Sequence, residues 1–309
     1  MRSKEPNLQN VIKENRRFFI PSSDDKVFIL FDFSNIEMRL AASIYNDGVL
    51  KDIFNNGGDA HKLLASKIYN KPKEAVTKEE RQLAKQVNFA SLYGTTPKTL
   101  LRLLISSNPS WKDKLTEKDA EHFLASFLDL YKGLKAAQDK ARLVVDKDIR
   151  EKRRLTTKIR HLHSVTYEVD GGVEIDHRLL HRIKNQLLNV HIQGAGAAGL
   201  YLALVRFHER LYSLGYTTEH FHVVACIHDE IVVECKKKAA SLIAEHLERS
   251  AMEAFCEIGD PMDDKKRPLL NDVKMDGELR YSRNLRGAED DFVDIPQNEV
   301  DEIEEPSPF

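Results

Sequence analysis

Strand-like apolar runs occur near both ends of this chain, and a long helix-periodic stretch separates them. Residues 26–31, KVFILF, form a short continuous run of β-branched and aromatic residues, which is typical of a buried strand. At 221–235, FHVVACIHDEIVVEC contains two such runs around His228, Asp229 and Glu230, which fits the tip of a tight hairpin. An amphipathic helix and a last strand follow the hairpin. This order predicts an α+β fold, in which an antiparallel sheet with packed helices is interrupted by a mainly helical domain.

The central stretch predicts several helices. Candidate helices lie near 59–70, 77–93, 97–105, 117–129, 131–148 and 178–204. One more helix is expected directly after the first strand, where Ser34 and Glu37 have the spacing of a capping box. The helical domain is therefore expected to lie between the first strand and the hairpin.

The composition limits the classes of protein to which this chain can belong. It has 309 residues, 41% of them hydrophobic, which suffices for one large domain or two to three smaller ones. No apolar run reaches the roughly 18 residues that a membrane span needs, so we expect no membrane partner. The three cysteines, Cys226, Cys235 and Cys256, show no metal-type pairing. They predict free thiols in a reducing compartment, the cytoplasm, or the host cytoplasm if the chain is viral.

The charge is distributed unevenly along the chain. Residues 287–309 contain nine acids and no Lys or Arg, whereas residues 1–286 carry 47 basic against 40 acidic residues. A body with a net charge of +7 permits a polyanionic partner but does not require one. The acidic tail has too few apolar residues to fold, so we expect a disordered, solvated terminus or a short docking segment.

One helix-periodic stretch, RQLAKQVNFASLYG at 81–94, places two cations and then two aromatics at four-residue steps. On a helix, Arg81, Lys85, Phe89 and Tyr93 form one slowly turning stripe. In one interpretation the rings belong to a core and the cations extend around them. In the other, the cations bind phosphate and the rings lie beneath a sugar and base. The residues alone thus indicate at most a phosphate-handling protein, with nucleic acid as one candidate partner.

Two acids, Asp32 and Asp229, each end or interrupt an apolar strand. If those strands are neighbours, the two carboxylates could share a divalent ion, because Mg²⁺ takes one or two carboxylates besides phosphate and water. Taken singly, each has an ordinary explanation at a helix start or in a turn. Strand placement alone therefore leaves metal binding open.

Five motifs in one order resemble a known family, the family A DNA polymerases of the bacterial DNA polymerase I group. The similar stretches are PNLQN at 6–10, DFSNIEMR at 32–39, RQLAKQVNFASLYG at 81–94, VHIQGAGA at 190–197 and IHDEIV at 227–232. They resemble, in turn, a segment before the first catalytic motif, that motif, the fingers-helix motif, the template-contacting stretch and the second catalytic motif. The resemblance runs from about residue 4 to residue 284.

The resemblance implies a right-hand architecture without a thumb. Its parts would be a palm at 1–40 and 196–286, fingers at 41–195 and the acidic tail at 287–309. Adjacent strands of the antiparallel palm sheet would bring Asp32 and Asp229 together. Family members carry a thumb, for which the sequence leaves no room. We therefore expect a split polymerase, in which a second polypeptide supplies the thumb and, if there is one, an exonuclease.

The resemblance also implies a reaction and a role for each matching residue. The reaction is two-metal transfer of a dNTP onto a primer 3′-hydroxyl, with a DNA primer–template as partner and two Mg²⁺ ions as cofactors. The implied catalytic residues are Asp32, Asp229, Glu230 and Lys85, and the implied metal ligands are Asp32, Asp229 and the Phe33 carbonyl. The implied nucleotide contacts are Arg81, Lys85, Phe89, Tyr93, His61, Glu37 and Asn35, and the implied DNA contacts are Asn189, Gln193, His228 and Arg39. Among these, Lys85 would protonate the leaving pyrophosphate, and Tyr93 and Glu37 would exclude a ribose 2′-hydroxyl.

The sequence departs from the family pattern at two of the matching positions, and two alternative functions remain open. Asn35 stands where the family usually has Gln, and Asn185 stands where it tends to have Arg. One alternative is a non-catalytic, nucleic-acid-binding scaffold subunit that inherited the fold, although the intact Asp32, Lys85 and Asp229 argue against it. The other is a reverse-transcriptase-like polymerase or one that uses ribonucleotides. The implied exclusion of a ribose 2′-hydroxyl by Tyr93 and Glu37 argues against a polymerase that uses ribonucleotides. Nothing in the sequence excludes an RNA template.

Overall fold

The computed structural model describes residues 11–150, 155–158, 164–167, 177–259, 268, 270 and 272–295. Its helices are α1 (Ile36–Ile44), α2 (Gly48–Asn55), α3 (Ala60–Tyr69), α4 (Lys78–Leu92), α5 (Pro97–Ser107), α6 (Glu117–Leu130), α7 (Lys132–Arg150), α8 (His177–Ser213) and α9 (Ala240–Glu257). Its strands are β1 (Lys26–Phe33), β2 (Leu155–Lys158), β3 (Ser164–Tyr167), β4 (Phe221–Ile227), β5 (Glu230–Lys236) and β6 (Gly277–Ser282). The PNLQN segment lies outside the described residues.

The chain divides into two compact units. The sheet unit comprises Met1–Ile36, Ala198–Ile258 and Met275–Phe309, and the helical unit comprises Glu37–Ala197 and Gly259–Lys274. A four-stranded antiparallel sheet dominates the first unit, and six complete helices follow one another in the described part of the second. The predicted α+β class is therefore confirmed.

The sheet has the order β4–β5–β1–β6, with every neighbouring pair antiparallel. Strand β1 lies inside the sheet because its apolar run is covered on both faces, and no residue from Val27 to Phe31 is more than 4% exposed. On one face, the Phe33 ring lies 5.3 Å from the ring of Phe255 in α9. On the other face, Leu30 belongs to an apolar cluster against which Leu285 packs.

Strands β4 and β5 form the predicted hairpin, with a two-residue connection at His228 and Asp229. His228 has a φ of 59°, in the left-handed region that tight hairpin turns require. Because the turn is so short, Ile227 pairs directly with Glu230, and the register of both strands is fixed up to the turn.

The acidic segment after β6 differs from its prediction as a disordered tail from residue 287. The main-chain amide of Val293 donates to Tyr281 O at 3.0 Å, and Phe292 forms a β-bridge with Ser282. Asp291 is 5% exposed and its Oδ2 lies 2.6 Å from Arg286 Nε. The prediction is thus wrong for 287–295, because a nearby cation and the sheet edge satisfy this part of the acidic run. Residues 296–309 lie outside the described residues.

Helix starts in the helical unit follow from local side-chain caps. Helix α4 begins with a capping box, in which the Thr77 hydroxyl accepts from the Glu80 amide and Glu80 accepts from the Thr77 amide. Helix α1 begins at Ile36, so Asn35, rather than the expected Ser34, directly precedes it. Buried Asp47 accepts from main-chain amides at the starts of both α2 and α7.

Helix α8 is the longest helix in the described part of the chain. By length and mean hydropathy alone, its residues Lys184–Ser213 would suffice to cross a membrane. Core helices of water-soluble proteins pass the same test, so this property assigns no membrane location.

Candidate active site

Three acids meet at one end of the sheet. Asp32 is the register partner of Glu230 across β1 and β5. The amide of Phe33, the last residue of β1, donates to Asp229 O at 3.3 Å. The strand pairing therefore brings Asp32 and Asp229, which are far apart in the sequence, to the same end of the same sheet.

The neighbouring acids also affect the ionisation of Glu230. Burial raises the pKa of Glu230 most, and the negative charge of Asp32 raises it further. Arg16 and Arg280 oppose these effects, and Asp229 adds to them. An acid whose ionised form is disfavoured by two neighbouring carboxylates marks a site that a cation would stabilise.

Packing fixes the main chain beside Asp32. The Phe33 ring is 2% exposed and lies 4.9 Å from the Phe31 ring in an edge-to-face arrangement. The Ser34 amide donates to Asp276 O at 2.9 Å, and Asn35 then adopts a φ of 54°, which Asn tolerates better than most residues. The chain thus leaves β1 in one defined direction.

The stripe on α4 begins with an ion pair. Arg81 Nε lies 2.6 Å from Asp59 Oδ2, and the Arg81 side chain is 45% exposed. Asp59 also caps α3, because its other oxygen accepts from the amides of His61 and Lys62 at 2.9 Å. Burial alone would raise the pKa of Asp59, but the bonds from Arg81 and Lys62 together lower it below its ordinary value.

The middle of the stripe combines a cation with two rings. Lys85 Nζ lies 6.0 Å from the centroid of Phe89, and the His61 ring lies 5.6 Å from that of Phe89. Phe89 is half-buried, whereas Leu83 on the same helix is 3% exposed and faces the core. The helix thus has a core face and a separate basic-aromatic face, as the second interpretation of the stripe requires.

His61 is buried and neutral. It is 3% exposed, and its Nδ1 lies 2.9 Å from Asn88 Nδ2. Burial lowers the pKa of His61 to about 4; Asp59 opposes this shift, and Arg81 and Lys85 reinforce it. With Nδ1 as acceptor for the Asn88 amide, Nε2 carries the ring proton.

Tyr93, Glu37 and Gln193 form one hydrogen-bonded cluster, although the sequence separates Glu37 and Gln193 by 156 positions. The Gln193 amide nitrogen donates to Glu37 Oε1 and lies 3.1 Å from Tyr93 Oη. Burial raises the pKa of Tyr93 far above its ordinary value, and the charge of Glu37 raises it further, so the phenol stays protonated. The family resemblance implied that Tyr93 and Glu37 act together, but it assigned Gln193 to DNA and did not predict that Gln193 contacts them.

The remaining predicted DNA contacts lie in different environments. His228 is exposed at the hairpin tip. Asn189 is half-buried, and its Oδ1 is inaccessible and has no hydrogen-bond partner among the described residues. Arg39 is 5% exposed, donates to Lys274 O and lies over the Phe54 ring at 4.6 Å. Arg39 therefore packs within the helical unit, and its contact with DNA stays a prediction.

Two features of the structure, one in each unit, were not predicted from the sequence. Arg16 and Arg280 flank Glu230, with shortest nitrogen–oxygen distances of 3.7 and 3.9 Å. The helical unit also contains a cavity of about 400 Å³, whose lining includes Ser91, Gly94, Thr95, Thr96, Pro97, Leu124, Leu128, Gln138, Arg142 and Lys184. The turn sequence Gly-Thr-Thr-Pro that follows α4 contributes four of these residues.

Comparisons with known proteins agree with the motifs. The chain is 33% identical over 250 residues to DNA polymerase I of Aquifex aeolicus (strain VF5). This match covers 81% of the chain and 39% of the Aquifex protein. It is 28% identical over 273 residues to DNA polymerase I of Lactococcus lactis subsp. lactis (strain IL1403), covering 84% and 28% respectively. The chain therefore spans less than half the length of these relatives.

A solved structure and a family model complete the comparison. The fold is similar to that of the POL domain of Pol1 from M. smegmatis, solved in complex with DNA primer-template and dNTP. The TM-score is 0.71 at 22% identity, and the match covers 93% of this chain and 46% of that one. The model of DNA polymerase family A matches residues 1–265. The chain therefore belongs to DNA polymerase family A.

Proposed function

We propose that this chain carries out template-directed DNA synthesis, transferring a deoxynucleotide from dNTP to a primer 3′-hydroxyl and releasing pyrophosphate. The observation that carries the proposal is the sheet register, which pairs Asp32 with Glu230 and joins Phe33 to Asp229 in a chain of this family. A scaffold subunit would have no need to keep three acids together against their mutual repulsion.

The acids at the end of the sheet would hold two Mg²⁺ ions. The donors are all oxygens, which are the ligands Mg²⁺ prefers, and Asp32, Asp229 and the Phe33 carbonyl are the proposed ligands. In the described residues, no group of three or more His, Cys, Asp or Glu side chains is arranged to hold a metal ion by itself. Substrate phosphate and water would therefore complete the coordination. When bound, such ions lower the pKa of an attacking hydroxyl and neutralise charge on the transferred phosphate.

The basic-aromatic face of α4 would bind the nucleotide. Arg81 and Lys85 would contact the triphosphate, and Lys85 is the proposed proton donor to the leaving pyrophosphate. Phe89, which is half-buried, would stack beneath the incoming nucleotide. Because His61 is neutral, we propose that it contacts phosphate by an Nε2–H hydrogen bond rather than by charge.

The cluster of Tyr93, Glu37 and Gln193 would set sugar and template selection. Tyr93 and Glu37 would occupy the space that a ribose 2′-hydroxyl needs, and Asn35 would support the nucleotide from the turn after β1. The Gln193 amide donates to Glu37 and contacts Tyr93. If Gln193 turned to contact DNA instead, both of these contacts would be lost. Further contacts with the primer–template are assigned to Asn189 and His228.

The family resemblance also assigns the parts of the chain. We propose a palm at 1–40 and 196–286 and fingers at 41–195. The second polypeptide expected from the sequence has no support in the structure or in the comparisons and stays a prediction. Primer extension by the chain alone, and by the chain with any candidate thumb protein, tests it.

The deciding experiment is primer extension with Mg²⁺ by the wild-type chain and by Asp229→Asn. We expect the variant to lose at least roughly 100-fold in rate, because it removes a charge that acts directly at the reacting phosphate. The matched control is Asp24→Asn, an exposed acid in the loop before β1, which should leave the rate unchanged. Equal rates for the wild type and Asp229→Asn, or no extension by the wild type either alone or with a candidate thumb protein, would refute the proposal in favour of a scaffold. Comparing dNTP with NTP, on DNA and RNA templates, then separates the polymerase classes.

A further inference from the structure

Glu230 lies between two arginines that come from opposite ends of the chain. Arg16, in the 3₁₀ turn Lys13–Phe18, places Nη1 3.7 Å from Glu230 Oε2. Arg280, on β6, places Nη2 3.9 Å from Glu230 Oε1. Each carboxylate oxygen therefore faces its own guanidinium. The Glu230 side chain is only 15% exposed, so these ion pairs are screened less than surface pairs.

The sheet register explains why Arg280 reaches Glu230. Arg280 pairs with Leu30 across β6 and β1, and Glu230 pairs with Asp32 across β5 and β1. Directly opposed residues share a face of a sheet, as do residues two apart along a strand. Arg280, Asp32 and Glu230 therefore lie on one face. A short or apolar side chain at position 280 would leave Glu230 Oε1 without this cation.

Arg280 is itself held by the segment that follows β6. Its guanidinium carbon lies 6.0 Å from the centroid of the Phe292 ring, at the outer limit of a cation–π contact. Phe292 is held in turn by its β-bridge to Ser282. The family model matches residues 1–265, so Arg280 and Phe292 lie beyond the residues that it covers.

We propose that Arg280 is a positioning residue, which together with Arg16 holds Glu230 back from the cation site of Asp32 and Asp229. This inference rests on the proposed function. A carboxylate whose two oxygens both face guanidinium groups has fewer lone pairs to offer a metal ion. Two protein carboxylates rather than three leave coordination positions for substrate oxygens and water.

The test measures Mn²⁺ binding by the full chain, without DNA or nucleotide, from the electron paramagnetic resonance signal of the free ion. Arg280→Ala should release one oxygen of Glu230, so Mn²⁺ should bind roughly three- to tenfold more tightly. In primer extension, kcat should fall roughly 10- to 100-fold, with little change in KM for dNTP. Arg280→Lys keeps a cation near the acid and should restore most of both properties.

Two further variants separate the effect of releasing the Glu230 carboxylate from the effect of changing the net charge. The double variant Arg280→Ala/Glu230→Gln has the net charge of the wild type, and it should lose the tighter Mn²⁺ binding because the released carboxylate is gone. Arg283→Ala removes a 66% exposed cation from the same segment and should behave as the wild type. If circular dichroism shows that Arg280→Ala does not fold, Phe292→Leu removes only the ring behind the guanidinium and should change Mn²⁺ binding in the same direction.

The outcomes distinguish this inference from the proposed function. A folded Arg280→Ala chain that binds Mn²⁺ no more tightly than the wild type overturns the positioning role, as does a double variant that keeps the tighter binding. If the wild type binds Mn²⁺ and extends primers in such a case, only the positioning role is refuted. A wild type that neither binds Mn²⁺ nor extends primers refutes both.

Discussion

Acidification should destabilise the helical unit through His61. Burial lowers the pKa of this histidine from 6.5 to about 4 in the folded chain. Between those two values the unfolded chain binds the proton more readily than the folded chain does. The free energy of unfolding therefore falls as the pH falls through this window, and His61 contributes no further change below about pH 4.

The size of the effect follows from the shift in the pKa of His61. One pKa unit corresponds to about 1.4 kcal/mol, so the complete window is worth about 3 kcal/mol. Most of this loss should be present at about pH 4.5, where the unfolded chain is already protonated. Part of the lost stability comes from the hydrogen bond that Asn88 donates to His61 Nδ1, since a protonated imidazole cannot accept a hydrogen bond.

The assay is urea unfolding followed by the fluorescence of Trp111, the chain's only tryptophan. Trp111 is 3% exposed and donates to Glu79 Oε1 at 3.2 Å, so it reports on the helical unit. His61→Gln keeps a polar group for Asn88 but cannot titrate, so its stability should depend less on pH by about 2–3 kcal/mol between about pH 7 and 4.5.

The exposed His222 supplies the control, because His222→Gln should retain the pH dependence of the wild type. If the wild type and His61→Gln lose the same stability on acidification, burial does not keep His61 neutral. The proposal that His61 contacts phosphate through an N–H donor would then also lose its basis.

Three further perturbations test the packing of each unit. Asp47→Ala should lower the free energy of unfolding by about 2–4 kcal/mol in the tryptophan assay, because the 1% exposed carboxylate accepts from three main-chain amides; a loss below about 1 kcal/mol would contradict this. Gly199→Ala should lower stability by about 1–3 kcal/mol in thermal melts, because its Cβ would lie 2.1 Å from the Phe255 ring, and an unchanged melting temperature would refute the close approach. A thiol reagent at neutral pH should label exposed Cys256 but spare Cys235, whose pKa burial raises to about 12; equal labelling rates would show that β5 is not buried.

The elements that the sequence predicted are those whose signal is local. The continuous apolar run of β1 and the polar tip between β4 and β5 identify strands and a hairpin without any knowledge of distant residues. Helix α4 shows its helical period within one stretch, and the Thr77–Glu80 capping box marks its start. In each case the side chains that decide the structure lie within one or two turns of each other.

The features that escaped prediction depend on contacts between distant residues. Composition predicted disorder after residue 286, but Asp291 is paired with Arg286, and counting charges does not reveal such a pair. Arg16 and Arg280 meet Glu230 only because the sheet is folded. The periodic pattern within a helix or strand does not reveal a contact between residues that lie far apart in the sequence.

The strand register connects the core of the sheet unit to its chemistry. In β1, Phe31 and Phe33 share one face, and Phe33 packs on Phe255 of α9, so Asp32 must lie on the opposite face. A slip of one residue would place Asp32 on the face that packs against α9 and would move the two rings away from α9, at the cost of burying a carboxylate. The apolar side chains thus fix the register, and the register fixes Asp32 opposite Glu230. The same burial that stabilises the sheet therefore determines where its acids lie.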